Sequence, residues 1–346
     1  MGPATTPAGL LGLDGLPQQI GLIGGAAAWL LAGSVVVLIL ATLLVLALTA
    51  RMPAAKAGFS TELRQRTWAW WYMIGVLGIA LLGGETAVIL LFAVLSLLGL
   101  REMASLLPDQ RADRAVLLWL AVITPLHYWF LWEHWYGMSA IFIPVYAFLF
   151  LPAVSALQGR TEGFLARAAS IQWALMVCVY AVSYVPALLQ LPVALEQGKA
   201  AAEGSAPGSG GWQGAALLLF LVIVVQGSDV LQYVWGKTLG RHPVAPSVSP
   251  NKTWEGLIGG VLSATALGAA LWWATPFAPW QAGLLALVSC LLGFAGGLVM
   301  SSIKRDRGVK DFGAVIPGHG GIMDRFDSLV FAAPVFFHLV RFFFSA

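Results

Sequence analysis

Long apolar runs alternate with short polar stretches along almost the whole chain. A helix needs about 20 mainly apolar residues to cross a bilayer core. Windows of that kind give ten candidate spans: 20–49, 67–82, 84–100, 114–133, 137–157, 168–190, 212–235, 254–275, 281–303 and 327–345. The pair 67–82 and 84–100 is short on both sides and parted only by glycines. The pattern predicts an all-α fold, a polytopic transmembrane helical bundle of about 9–10 spans.

Composition agrees. The chain is 59% hydrophobic with mean hydropathy +0.83, far above a soluble domain. Its net charge of +3 is too small to suggest a nucleic-acid partner. The cations sort by loop instead: Arg51, Lys56, Arg64 and Arg66; Arg101, Arg111 and Arg114; Arg160 and Arg167; Lys237, Arg241 and Lys252; then Lys304, Arg305, Arg307, Lys310 and Arg325. These five loops alternate with nearly cation-free connections, Lys199 and Arg341 excepted. By the positive-inside rule the basic loops face the cytoplasm of a cell membrane, with both termini outside. The expected location is integral to a bacterial inner membrane.

Cys178 and Cys290 fall inside spans and read as buried thiols, with neither disulfide nor metal-site spacing. The N-terminus lacks a basic n-region, so the first span is expected to double as a signal-anchor. Residues 196–212, rich in glycine and serine, read as a flexible outer loop. They divide an N-terminal set of helices, 1–211, from a half at 212–346 that holds nearly all the polar motifs and is expected to be catalytic.

Three constellations in that half bear chemistry. Asp229 ends an apolar run in the segment from Gln226 to Lys237; at helical spacing it shares a face with Gln232 or Tyr233 and with Gly236. A carboxylate there lines a cavity or, more blandly, pairs with Lys237 at the headgroups. Next, Ser249-Pro-Asn251-Lys252-Thr253-Trp-Glu-Gly256 precedes Gly259 and Gly260. Pro250 can lead into a helix capped by Ser249 or Asn251, leaving amides, hydroxyls and Lys252 as an anion site. The bland alternative is a capped helix with Lys252 at anionic headgroups. No GxxxxGK[ST] loop occurs, which argues against a P-loop NTPase.

The third lies between Ser301 and Asp327, where nine charges fall in a chain only 10% charged. Asp324 and Asp327, three apart, would project from one helix face, as a divalent cation requires. Arg325, Lys304, Arg305 and Lys310 suit phosphate oxygens. Gly318, Gly320 and Gly321 let backbone approach a ligand, and His319 is a phosphate donor or a turn residue. Charge alone would mark only topology; interleaved acids, glycines and a histidine mark more.

Ser301-x-Ile-Lys-Arg, then Lys310-Asp311-x-Gly313, then Pro317-x-His319-Gly-Gly-x-x-Asp324-Arg-x-Asp327 resembles the signature of the phosphatidate cytidylyltransferases, the CDP-diacylglycerol synthases. The Ser249–Gly256 block and the Asp229, Tyr233, Gly236 segment resemble that family's upstream blocks. The likeness covers 212–346; the front half matches only as a series of spans. One position departs: many bacterial members have Asp where this chain has Gly297, within Gly296-Gly297-Leu298.

The resemblance implies transfer from CTP to phosphatidic acid, giving CDP-diacylglycerol and pyrophosphate, with Mg²⁺ as cofactor and a second mono- or divalent cation as an option. It implies a homodimer in contact with membrane lipid. Lys304, Arg305, Lys310, Asp311, His319, Asp324 and Arg325 are the expected catalytic residues. Ser249, Asn251, Lys252, Thr253, Tyr233, Gly320 and Gly321 are expected at substrate. Asp324 and Asp327 are expected at metal, with Asp229 or Asp311 completing the shell in place of the carboxylate absent at Gly297. Rival readings are a CTP-dependent transferase acting on another lipid phosphate or lipid alcohol, and an anion or lipid transporter.

Overall fold

The computed structural model describes residues 25–50, 57–106, 114–192, 211–313 and 320–345. Among these it is a helical bundle with one small hairpin. The main rods are α1 (Ala26–Ala50), α2 (Ala57–Leu82), α3 (Glu85–Ser105), α4 (Arg114–Trp132), α5 (Tyr136–Ala156), α6 (Phe164–Gln190) and α7 (Gly211–Leu239). Strands β1 (Pro243–Ala245) and β2 (Ser249–Thr253) follow, then α8 (Trp254–Ala270), α9 (Pro279–Asp306), the short α10 (Met323–Phe326) and α11 (Leu329–Phe344). Each predicted span thus has a helix. Among the described residues six helices are long and apolar enough to cross a membrane, and the protein is an integral membrane protein.

Several boundaries differ from expectation. The helix α2 begins ten residues early, at Ala57, so Arg64 and Arg66 lie on its first turns and not in a loop. Arg167 is also helical and buried; its guanidinium donates to the carbonyls of Arg160 (3.0 Å) and Glu162, folding the loop back on α6. Within α5 the backbone widens to a π-turn over Phe142–Ala147. Pro144 lacks the amide that would continue the α-helical ladder there. Helix α9 runs on to Asp306, so Lys304 and Arg305 belong to a helix end.

The central rod is α7. Leu217, Leu218 and Leu221 are fully buried on it, and it packs along α8, α9 and α1. Its approach to α8 is close because glycines face it: a Cβ at Gly260 would fall 2.3 Å from Gln232 Cγ, and one at Gly256 2.9 Å from the Gln232 carbonyl. By contrast α1 leaves Val37, Leu40 and Leu44 exposed, as a lipid-facing helix does. Both cysteines are buried free thiols.

Candidate functional site

The polar motifs meet at one end of the bundle, where α7, β2, α9 and α10 converge. Asp229 on α7 does not pair with Lys237, whose ammonium instead sits 5.9 Å from the Tyr233 ring centre on a largely exposed surface. It accepts a short hydrogen bond from the Ser328 hydroxyl. The same hydroxyl lies 3.3 Å from Asp327 Oδ1, which also accepts from the Ser328 amide at 2.8 Å. One serine therefore joins two carboxylates from residues 98 positions apart in sequence.

Lys252 faces this pair across Gly297. A Cβ built on Gly297 would lie 2.6 Å from Lys252 Nζ and 4.0 Å from Asp327 Oδ2. The ammonium also sits 4.8 Å from the Phe294 ring centre. Burial lowers the affinity of Lys252 for its proton, and Asp229 and Asp327 restore part of it. Burial likewise pushes the Asp327 carboxyl up, opposed by Lys252, Lys304 and Arg325. The absence of a side chain at 297 is what gives the lysine its place.

Asp324 has different partners. Its Oδ1 accepts from buried Lys304 Nζ at 2.8 Å, and its Oδ2 accepts from the amides of Phe312 and Gly321, both at 2.9 Å. The Lys304 ammonium lies 5.3 Å from the Phe312 ring centre. Asp324 and Lys304 thus brace the loop. Asp311 is exposed, though its Cγ lies 3.3 Å from the Cβ position of Gly320, a residue at φ 80°. Among the described residues no group of three or more Asp, Glu, His or Cys side chains converges as a metal shell would. The expected shell of Asp324 and Asp327 with Asp229 or Asp311 is therefore not gathered among the described residues, whereas Asp229 and Asp327 meet at Ser328.

The block at 249–256 also folds differently. Ser249, Pro250, Asn251 and Lys252 form strand β2, paired antiparallel to β1 with Ala245 opposite Ser249. The cap of α8 is Thr253, whose hydroxyl accepts from the Gly256 amide at 3.2 Å, not Ser249 or Asn251. The Trp254 amide is taken by the His242 carbonyl at 2.9 Å. Fewer first-turn amides are left for an anion than the pattern suggested, while Asn251 is exposed and Lys252 turns inward. Arg305 ties hairpin to loop through the carbonyls of Val248 (3.3 Å) and Val309 (3.2 Å). Lys310 is exposed at the rim. His319, Gly318 and Pro317 lie outside the described residues.

Three participants were not singled out from sequence. Gln226 Nε2 donates to the Arg325 carbonyl at 3.0 Å, fastening α10 to α7. Ser328 links the carboxylates; it directly follows Asp327, which was its one signal. Glu102, in the N-terminal half, accepts from the amides of Ile322 (2.8 Å) and Met323 (3.0 Å). An apolar cavity of about 390 Å³ adjoins the cluster. It is lined by Leu77 of α2, Leu91 and Leu95 of α3, Gln226 of α7 and Arg325 of α10.

A charged, partly buried cluster together with an apolar cavity gives the mostly apolar setting with a few convergent polar groups that binding sites share. The cytidylyltransferase family model matches residues 64–343, and the chain belongs to that family of nucleotidyltransferases. It is 39% identical over 309 residues to the uncharacterized protein YnbB of Escherichia coli (strain K12), covering 88% of this chain and 95% of that protein. It is 44% identical over 125 residues to a phosphatidate cytidylyltransferase of Mycobacterium leprae (strain TN), covering 35% of this chain and 39% of that enzyme. A phosphatidate cytidylyltransferase of Staphylococcus saprophyticus is 38% identical over 125 residues, covering 36% and 48%. The chain thus spans less than half the length of these two named enzymes.

Proposed function

We propose that this protein transfers the cytidylyl group of CTP to phosphatidic acid, releasing pyrophosphate and forming CDP-diacylglycerol. The observation that carries the reading is the Lys252, Asp229, Asp327 and Ser328 cluster beside the apolar cavity that Arg325 lines. Phosphate chemistry and acyl chains each have a place within one site. The relatives named as phosphatidate cytidylyltransferases support the choice of lipid.

In this reading a phosphate-monoester oxygen of the lipid attacks the α-phosphorus of CTP. The new P–O bond forms as the α–β bridging bond breaks, and the electron pair leaves with pyrophosphate. The nucleophile is already ionised at neutral pH, so the chain need supply no strong base. Its work is positioning and charge neutralisation. Lys252 and Arg325 hold phosphate oxygens inside, while Lys310 and Arg305 attract the triphosphate at the rim. The Lys304–Asp324 pair keeps the loop in place, and His319 is assigned to the departing pyrophosphate. Asp229, Asp327 and the Ser328 hydroxyl form a hard-oxygen donor set that fits Mg²⁺, and Asp311 is an exposed carboxylate of the same charged stretch for a second cation. When bound, Mg²⁺ supplies neutralisation of the developing charge. The acyl chains occupy the cavity between α2 and α3. By the positive-inside rule the cation-bearing loops at this end support a site on the cytoplasmic side, where CTP is found, and we assign the working form as a homodimer.

The test is incubation of the purified protein in lipid nanodiscs with CTP, Mg²⁺ and phosphatidate. Pyrophosphate and a CDP-lipid are the expected products. Pyrophosphate release only with a polyprenyl phosphate or a lipid alcohol would replace the acceptor. No release with any lipid would favour transport.

A further inference from the structure

We propose that Glu102, from the N-terminal half, is a positioning residue for the reaction: its carboxylate sets the placement of the loop that carries Asp324, Arg325 and Asp327. The claim rests on the nucleotidyl-transfer reading only for its activity measurement.

One face of α3 forms a rail for α10. Phe92 meets Phe326 edge to face, with ring centres 6.0 Å apart. Two turns on, a Cβ at Gly99 would lie 2.7 Å from Met323 Sδ, so the helix is bare where the methionine crosses. Three residues further, Glu102 is 6% exposed and spends one oxygen on each of two successive amides, Ile322 and Met323. A buried carboxylate needs partners of this kind. Here they are the backbone entering the segment that bears the charged residues.

The same carboxylate explains two glycines of the charged stretch. A Cβ at Gly321 would lie 2.4 Å from Glu102 Oε2, and one at Gly313 2.7 Å from Oε1. Both strands of the loop therefore close around this one side chain, and neither can carry a substituent while Glu102 is present. Asp324 grips the loop from within, through Phe312 and Gly321. Glu102 grips it from the opposite half of the chain. Glutamine would offer one acceptor and turn an N–H₂ group toward the second amide, and aspartate would fall one methylene short.

Full-length Glu102→Gln, Glu102→Asp and Glu102→Ala proteins in nanodiscs test this. The first readout is amide hydrogen exchange. Faster exchange confined to 320–327, with other helices unchanged, is expected in all three. Unchanged exchange there, or uniform loss across the bundle, would overturn the proposal. The second readout is kinetic: kcat of Glu102→Gln falls at least tenfold while KM for CTP changes less than threefold. A kcat within twofold of wild type would also overturn it. The third is a coupling test. Gly321→Ala lowers kcat in the parent protein but adds no further loss to Glu102→Ala, because the obstructing carboxylate is gone; additive losses would disprove the contact. If phosphatidate proves the wrong acceptor, the exchange arm still decides the matter.

Discussion

The Lys252 ammonium occupies the space over Gly297 that a side chain there would fill, 2.6 Å from the position of a Cβ. Where a family carboxylate would project from α9, this chain places a cation from β2. Gly297→Ala sets a methyl against that ammonium, at a distance that real Cβ contacts do not reach. Lysine is flexible, so displacement and not unfolding is the expected result. We expect kcat to fall about tenfold, or ~1.4 kcal/mol of barrier, with melting temperature in detergent nearly unchanged. Full activity in this variant would show that the position of Lys252 is immaterial.

Asp229 and Asp327 meet at Ser328 and are the assigned Mg²⁺ ligands. Asn at either position should reduce CDP-lipid formation by roughly 10²–10³-fold, as loss of preorganised charge stabilisation does. Ser328→Ala keeps both carboxylates and removes only the shared donor. Hydrogen bonds to charged groups contribute about 1.5–3 kcal/mol, so a partial loss is expected, with more Mg²⁺ needed for half-maximal rate. A Mg²⁺ titration of initial rates tests this; an unchanged midpoint in Ser328→Ala contradicts the assignment.

Lys304 and Lys310 are both cations of the charged stretch, yet they should fail differently. Removing one partner of a buried ion pair costs about 3–5 kcal/mol, and Lys304 is the partner of buried Asp324. Lys304→Met is therefore expected to lower the melting temperature as well as activity. Lys310→Met, at an exposed position, should lower activity and leave melting unchanged. Asp324→Asn retaining near-normal product formation would remove that residue from the machinery altogether.

The bundle was legible in the sequence because a bilayer demands long apolar helices and the chain has little else. The helix ends were not. Polar residues such as Arg64 and Lys304 are good helix formers, so a helix continues past the point where hydropathy drops. The block around Pro250 read as a helix cap because Ser and Asn before an apolar run suit one; hairpin pairing with 243–245 overrode that local preference. Charge spacing singled out one loop but not the contacts within it. Asp324 and Asp327 are three apart, and tertiary contacts gave one to Lys304 and the other to Ser328. Glu102 was invisible for the opposite reason: a lone acid beside Arg101 at the end of a span looks like a topology signal until the loop is seen to close on it.

The acidic limb of the rate profile should report Asp327. Burial raises its carboxyl above the usual value of about 4, and the ionised form is the working one. On acidification the proton therefore returns at a higher pH than for an ordinary carboxylate, and activity falls earlier. Lys252 is the first of the cations that oppose this rise. In Lys252→Met the pKa goes up again, so the residual activity should fail at still higher pH. Measuring kcat/KM for CTP between about pH 5 and 8 at limiting Mg²⁺, where the metal-free carboxyl titrates, decides the sign; a limb displaced to lower pH would refute it.

In the proposed reading the acyl chains lie in the apolar cavity lined by α2 and α3 together with Gln226, Arg325 and Phe326. Leu95 lines it on α3 and Arg325 lines it from α10. A larger side chain at Leu95 takes up volume of that cavity from its apolar α3 wall. Leu95→Trp should therefore raise KM for a long-chain phosphatidate several-fold and leave KM for CTP unchanged. Each excluded methylene forfeits about 0.8 kcal/mol of burial, so the penalty should shrink with a short-chain, water-soluble phosphatidate. If both lipids suffer equally, the substitution has acted on the charged site and the cavity is not the acyl slot. If neither suffers, the chains lie elsewhere along the bundle.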